Sequence, residues 1–301
     1  MFVSRSIEIN ANRASVEQAI NNYTIWQKWS PWAILEPEVK ISVNEKADFY
    51  EWQGKRTGSG NMKNNGQTGD VIDMDLTFLK PWKSTSKIYF RLKEKDSKIS
   101  VSWEMHGSLP FFMFFFKKIM QAGIGMDFER GLKMLKDYCE TGNIHSKLEF
   151  KGVQPFNGGK YVGIKRNATM HTIGDVMQKD FDALFNEFNG SQHLSDVWFS
   201  QYHKFDIVNG GVEFTSAVCV TEYPENLPAG WVKGEIEKCN LHTIRHIGSY
   251  DHIGNAWAAS QMMIRAKEFK PKKGIHPYEF YRNSPKDTAP ENLISDICFA
   301  V

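Results

Sequence analysis

Between Glu38 and Gly107, apolar and polar residues alternate in short runs: Val39 to Val43, Phe49 to Gln53, Gly58 to Lys63, Val71 to Phe78, Ser86 to Lys93 and Ile99 to Gly107. Alternation puts one set of side chains on one face, so these runs predict strands, and their closeness in sequence predicts an antiparallel meander. Ser6 to Asn10 alternates in the same way. Ser15-Val16-Glu17-Gln18 then reads as a capping box, opening a short helix that carries Val16, Ala19, Ile20 and Tyr23 at helical spacing. After Phe116 the period becomes helical, with Met120, Ile124, Phe128, Leu132, Leu135 and Cys139 on one face and a stop at Thr141-Gly142. An apolar sheet face and an apolar helix face bury each other, which predicts one domain with a long helix across a curved sheet.

The short polar stretch Gly142 to Lys147 marks a boundary, giving domains at 1–145 and 148–301, and 301 residues suit two domains. The second contains a repeat. Ile164-Lys165-Arg166 matches Ile244-Arg245-His246 and Ile173-Gly174 matches Ile253-Gly254 at an offset of 80. At an offset of 79, Tyr202 matches Tyr281 and Ser216 to Cys219 matches Ser295 to Cys298. Each half reads strand, helix, two strands. The first helix is apolar at Ile173, Val176, Met177, Phe181, Leu184, Phe185 and Phe188, and its counterpart at Ile253, Ala256, Trp257 and Ile264, with Asp251 as its expected N-cap. Neither half buries its helix and sheet faces well alone, so the two are expected to pair about a pseudo-twofold axis with a groove where they meet.

The 37 basic and 35 acidic residues nearly balance, and neither domain is a basic module, which argues against direct nucleic-acid binding. The opening residues lack a basic stretch followed by a long apolar region, so no signal or transit segment is expected, and the longest apolar run, Leu109 to Phe116, is too short to span a bilayer. The four cysteines are scattered without a C-x-x-C pair, so no zinc site or disulfide framework is indicated and a reducing cytoplasm is the expected location. His242 and His246 share a strand face but stand too far apart for one ion, and no nucleotide or nucleophile-elbow motif is present. Neither metal nor cofactor is expected. What stands out is the ring content, 21 Phe, 10 Tyr and 9 Trp, enough to fill cores or line pockets for apolar or cationic ligands.

In Tyr278-Glu279-Phe280-Tyr281 alternation puts Glu279 and Tyr281 on one face, and the equivalent strand puts Trp198, Ser200 and Tyr202 on the corresponding face. A lone carboxylate among rings is costly to bury. Either its pKa rises, or it waits for a cationic ligand, which the ring faces also attract. The alternative is a hydrogen bond to nearby backbone or to Arg282. The run Phe111 to Phe116, followed by Lys117-Lys118, cannot all face inward and is expected to form a cavity gate or domain contact rather than a membrane element.

Three stretches of the second domain carry a family resemblance: His246-Ile247-Gly248-Ser249-Tyr250, Pro277 to Pro285, and the closing strand Ser295 to Val301. Together they make residues 148 to 301 resemble the GyrI-like effector-binding domain, the ligand-sensing module of multidrug-responsive bacterial transcription activators that also occurs free-standing. The resemblance implies that Glu279 sits at the centre of an aromatic pocket between the repeat halves and meets cationic or amphipathic molecules. Tyr281, Trp198, Tyr202, Tyr250 and Trp257 are the expected pocket walls. The module normally accompanies a DNA-reading helix-turn-helix, which is not what precedes it here.

The first domain has a likeness of its own. Trp29-Ser30-Pro31-Trp32, Tyr50-Glu51-Trp52, Gly58-Ser59-Gly60, Val101-Ser102-Trp103 and Asp127 to Lys136 resemble the SRPBCC (START-like, polyketide cyclase/dehydrase) superfamily. That implies a helix-grip fold, a seven-stranded sheet round a long C-terminal helix, with an apolar cavity that Trp32, Trp52, Trp103 and Phe128 would line, or else help fill as core. The expected class is therefore α+β, a helix-grip domain followed by a duplicated strand-helix-strands domain. The expected function is binding of small hydrophobic, cationic or amphipathic molecules as sensor, sequestering agent or carrier. The alternative is a hydrolase of reactive small molecules, with Glu279 as general base and Tyr281 or Tyr202 as donor to the leaving oxygen. Oligomeric state is left open.

Overall fold

The alternating run from residue 38 to 107 folds into six consecutive strands, and the N-terminal strand joins their sheet. β1 (Phe2–Ile9) leads through helices α1 (Arg13–Asn21) and α2 (Tyr23–Trp29) into β2 (Lys40–Val43), β3 (Phe49–Gln53), β4 (Ser59–Thr68), β5 (Val71–Lys80), β6 (Ser84–Lys95) and β7 (Lys98–Gly107). Helix α3 (Lys117–Thr141) follows. The seven-stranded sheet has the order β1-β7-β6-β5-β4-β3-β2 and is antiparallel throughout. The computed structural model describes residues 1–108, 111–188, 191 and 193–301, with all their side chains except those of Lys95, Phe111, Phe112 and Met113. It divides into two units, Met1–Ser146 with Gln261–Ala266, and Lys147–Ser260 with Lys267–Val301.

The first unit is held by rings. Alternate residues of β7, Ile99, Val101, Trp103 and Met105, are buried and meet Phe128, Leu132 and Leu135 of α3. Trp103 stacks on Phe128 at 4.3 Å with the planes 9° apart, and its other neighbours include Phe90 at 4.9 Å and Trp26 at 5.4 Å. Gly131 permits this approach, since a Cβ there would come within 2.7 Å of the Trp103 ring. Burying one such ring is worth about 1.5–3 kcal/mol. The helix stops at Gly142, whose φ of 79° is the left-handed conformation a glycine adopts without strain. One expected cap is corrected: Asn12, not Ser15, caps α1, its side chain accepting from the Ser15 amide at 2.8 Å. Asn tolerates the extended cap conformation and reaches the same orphan amide.

The second unit builds one eight-stranded antiparallel sheet from β8 (Ser146–Phe156), β9 (Gly159–Thr169), β10 (Leu194–Asp206), β11 (Gly211–Val220), β12 (Trp231–Ile236), β13 (Cys239–Gly248), β14 (Tyr278–Tyr281) and β15 (Ile294–Ala300). Helices α4 (Ile173–Phe188) and α5 (Gly254–Arg265) follow β9 and β13. The strand order β12-β9-β11-β10-β14-β15-β13-β8 reads equivalently from either end. Each half keeps three strands together and sends its first, β8 or β12, to the outer edge of the other. That exchange ties the halves into one sheet, which the repeat alone does not disclose. Ser249 accepts from the Asp251 amide at 3.3 Å and opens a 3-10 turn at Tyr250–His252, which leads into α5.

Among the described residues no helix is long and apolar enough to cross a membrane. Of the apolar run at 109–116, Leu109, Pro110 and the side chains of Phe111, Phe112 and Met113 lie outside the described residues. Phe114, Phe115 and Phe116 are exposed.

Candidate functional site

The two halves of the second unit meet where β10 pairs with β14, and the register sets Ser200 opposite Glu279 and Trp198 opposite Tyr281. Opposed residues point to the same face of a sheet. Under the 79-residue offset Glu279 corresponds to Ser200 and Tyr281 to Tyr202. The Ser200/Glu279 pair is thus its own image, which puts one carboxylate on the pseudo-twofold axis with a tyrosine from each half beside it. Two carboxylates facing each other there would repel, so an acid in one half and a serine in the other is the arrangement that closes.

Three neutral donors meet the Glu279 carboxylate. Trp257 Nε1 donates to Oε2 at 2.8 Å, Tyr202 Oη to Oε2 at 3.2 Å and Tyr281 Oη to Oε1 at 2.8 Å. A phenol has a single proton. With that of Tyr281 on the carboxylate, Ser200 Oγ, 3.1 Å away, is left as the donor to Tyr281 Oη. Met177 of α4 completes this side, its Sδ 3.6 Å from Tyr281 Oη and 3.8 Å from Ser200 Oγ. Met177 and Trp257 are themselves equivalents at the 80-residue offset, so each helix sends one side chain to the axis.

Four carboxylates are buried among the described residues, Glu36, Asp180, Glu279 and Asp296, and three are compensated in ordinary ways. Asp296 binds Arg245 in two contacts of 2.7 and 2.9 Å and Arg282 at 2.7 Å, and Asp180 binds Arg166 at 3.0 Å. Glu36 accepts from the amides of Lys55, Arg56 and Thr57. Glu279 has no Lys, Arg or His within ion-pair distance among the described residues, and Arg282, just past the end of its strand, is committed to Asp296. Burial raises the Glu279 carboxyl above its ordinary value, while the hydrogen bonds from Trp257, Tyr281 and Tyr202 hold it back. Tyr202 and Tyr281 are pushed up by burial and by the adjacent negative charge, and Tyr250 reaches about 12 for the same two reasons. All three phenols stay neutral donors at physiological pH.

The walls are aromatic. Tyr202 meets Trp257 edge-on at 4.8 Å, Phe205 stacks on Tyr202 at 5.1 Å, and Phe299 lies 5.8 Å from Trp257. Tyr281 packs between Phe181 at 5.2 Å and Tyr250 at 5.9 Å. Of the residues expected from sequence, Glu279, Tyr281, Tyr202 and Trp257 touch one another directly. Tyr250 joins through Tyr281, and half-buried Trp198 reaches the cluster through Phe181 at 6.0 Å. Met177, Phe181 and Phe205 were not singled out for the site from sequence. The repeat offset applied to Trp257 would have pointed to Met177, but nothing local distinguishes Phe181 or Phe205 from core rings.

Trp32, Trp52, Trp103 and Phe128 belong to the other unit, where they stand with its core rings, the second of the two expectations for them. Trp103 and Phe128 are stacked in the packed ring cluster. Trp32 sets its edge against Trp103 at 5.7 Å and donates to Asp127 Oδ2 at 3.3 Å, and Trp52 donates to the Thr57 carbonyl at 3.2 Å while packing on Tyr50 and Phe78. Large rings close-pack wherever the sheet and α3 bring them within reach, so Trp103 and Phe128 are buried, while Trp32 and Trp52 stay half-buried against the same cluster. A cleft of about 940 Å³ does exist in this unit, at the end of the sheet where Phe2, Thr77, Thr85, His106 and Lys117 come together, and none of those four residues lines it.

Comparison with known proteins finds a family for most of the second unit. Residues 156–301, just under half the chain, match the family described as GyrI-like small molecule binding domain. No curated protein matches the chain. Among solved structures, the cryo-EM EcmrR-DNA complex is 12% identical, covering 63% of this chain and 69% of that one at a TM-score of 0.44. The crystal structure of the EcmrR C-terminal domain is 12% identical over 52% of this chain and 96% of that one, TM-score 0.43. The solution structure of the Aha1 dimer from Colwellia psychrerythraea is 18% identical over 47% and 98%, TM-score 0.35.

Proposed function

We propose that the GyrI-like small molecule binding domain of residues 156–301 takes hydrophobic molecules that carry a positive charge, with the charge meeting Glu279. The observation that supports this is the contrast among buried acids: Asp180 and Asp296 have arginines, and Glu279 has only ring donors. A buried carboxylate with no opposite charge is held at a cost that a cation arriving with the ligand removes. At about 4 Å and an effective dielectric near 20 the attraction is about 4 kcal/mol before desolvation is subtracted, and ring faces add to it. Oε1, which accepts from Tyr281 alone, has the more unused acceptor capacity of the two oxygens. Such binding suits a sensor, a sequestering agent or a carrier.

Calorimetric titration with tetraphenylphosphonium and with neutral triphenylphosphine oxide tests the reading. The phosphonium is expected to bind tighter, and Glu279→Gln to weaken it by about tenfold or more while leaving the neutral compound unchanged. Equal affinities for the two compounds, or an unaffected variant, would remove the charge from the recognition.

For the first unit we infer an SRPBCC-like fold. Support comes from the seven-stranded order β1-β7-β6-β5-β4-β3-β2, the two short helices between β1 and β2, and the long helix after β7. This is a statement of fold and carries no activity.

A further inference from the structure

Of the large apolar side chains that the first unit exposes among the described residues, all but Met126 stand at one end of its sheet. β5 ends and β6 begins there, with Phe78 opposite Ser84, so the hairpin tip with Leu79 and Trp82, 47% and 42% exposed, projects from that end. Ser86 lies opposite Gly107, where β7 leaves the sheet, and Phe2 opposite His106. The chain then reaches Phe114, Phe115 and Phe116, exposed by 64%, 91% and 54%, immediately before α3. Gln121 in the first turns of α3 donates to the Phe2 carbonyl at 2.8 Å, and Lys117 shares the cleft with Thr77, Thr85 and His106. The hairpin tip and the phenylalanine turn, some thirty residues apart in sequence, therefore belong to one surface.

The segments that carry these rings are basic as well as apolar, and Asp75 at the shared cleft is paired with Lys87 at 2.7 Å. Residues 79–86 contain Lys80 and Lys83, residues 111–121 contain Lys117 and Lys118, and neither stretch holds an Asp or Glu. Lys117 Nζ sits 5.6 Å over the Phe114 ring. A second copy of this chain meeting the patch would bring the same lysines against these, setting like charges around the buried rings. An anionic bilayer presents the complement to both features, negative headgroups above an apolar layer, and Trp and Phe beside Lys are side chains that partition into that boundary.

We propose that this end of the first unit docks on anionic lipid bilayers, with Phe114, Phe115, Phe116 and Trp82 entering the interfacial layer and Lys80, Lys83, Lys117 and Lys118 meeting the headgroups. The binding is peripheral and independent of the Glu279 site.

Flotation of the full chain with vesicles tests it. The protein is expected to float with phosphatidylcholine vesicles containing phosphatidylglycerol and to stay behind with phosphatidylcholine alone, the binding weakening as salt is raised. Phe115→Asp is expected to reduce the partition coefficient by about tenfold or more, with an unchanged melting curve because the ring is exposed. Reversing Lys117 and Lys118 to Glu should cost at least about fivefold per lysine, and Glu279→Gln nothing. Absence of flotation with the anionic vesicles, or flotation undiminished by Phe115→Asp, would overturn the proposal. A dimer abolished by Phe115→Asp, without flotation, would overturn it too and assign the patch to self-association.

Discussion

In the first unit Trp26, Trp29, Phe90, Trp103 and Phe128 form a cluster whose rings are each no more than 1% exposed. In the second, Tyr202, Trp257, Tyr281, Phe181 and Phe205 form another of comparable ring content around Glu279. The ring contacts are alike, edge-on and stacked at 4–6 Å in both. What differs is where the polar atoms of the rings go. Trp29 Nε1, on α2, donates to the Ala19 carbonyl of α1, 3.0 Å away, which fastens the ring as structure. In the second cluster two phenols and an indole from three elements converge on one carboxylate. Aromatic content by itself therefore says little about binding, whereas convergence of ring donors on an uncompensated charge marks a site.

The largest expected effect tests the first cluster as pure packing. Trp103→Ala removes a ring stacked on Phe128 and packed against Phe90 and is expected to cost about 3–5 kcal/mol in urea unfolding while leaving phosphonium affinity intact. A loss below about 1 kcal/mol would show the cluster to be loosely filled.

The second test asks whether the other cluster stores the cost of a charge. Folding raises the Glu279 carboxyl, so the native state binds more protons than the unfolded chain between the ordinary value of 4.5 and the folded one, and stability falls as pH rises through that window. Each unit that folding adds to the pKa is worth about 1.4 kcal/mol, lost by the upper end of the window. Glu279→Gln keeps the shape, with its amide nitrogen able to donate to Tyr281 while Tyr281 turns its proton to Ser200. The variant is expected to match the wild type at pH 4 and to have the higher urea midpoint at pH 8. A variant less stable than the wild type at pH 8 would mean that the three ring donors compensate the charge fully.

The smallest effect separates the ring from its N–H. Trp257→Phe keeps most of the contact with Tyr202 and Phe299 but leaves Glu279 Oε2 with one donor, and is expected to cost about 1 kcal/mol or less in stability. A loss as large as that of Trp103→Ala would mean that Trp257 acts as core.

Much of this was legible in the chain. Alternation marked the strands of the first unit to within a few residues and put Glu279 and Tyr281 on one face, the helical period marked α3 and its glycine stop, and the offsets of 79 and 80 disclosed the duplication of the second domain. Helix caps were less legible, because Asn12 and Ser15 are both good cap residues and only backbone geometry decides between them.

These features are local. They depend on side chains within a few residues of one another, where periodicity and stereochemistry leave few options. Which strands become neighbours does not follow from periodicity, since any strand with an apolar face can pair with another. The exchange of β8 and β12, the meeting of Tyr202 with Glu279 across 77 residues, and the union of the hairpin tip with the phenylalanine turn were decided only by the tertiary structure. So was the partnership that leaves Glu279 without a cation, because Arg282, adjacent in sequence to Tyr281, finds its carboxylate on β15 instead.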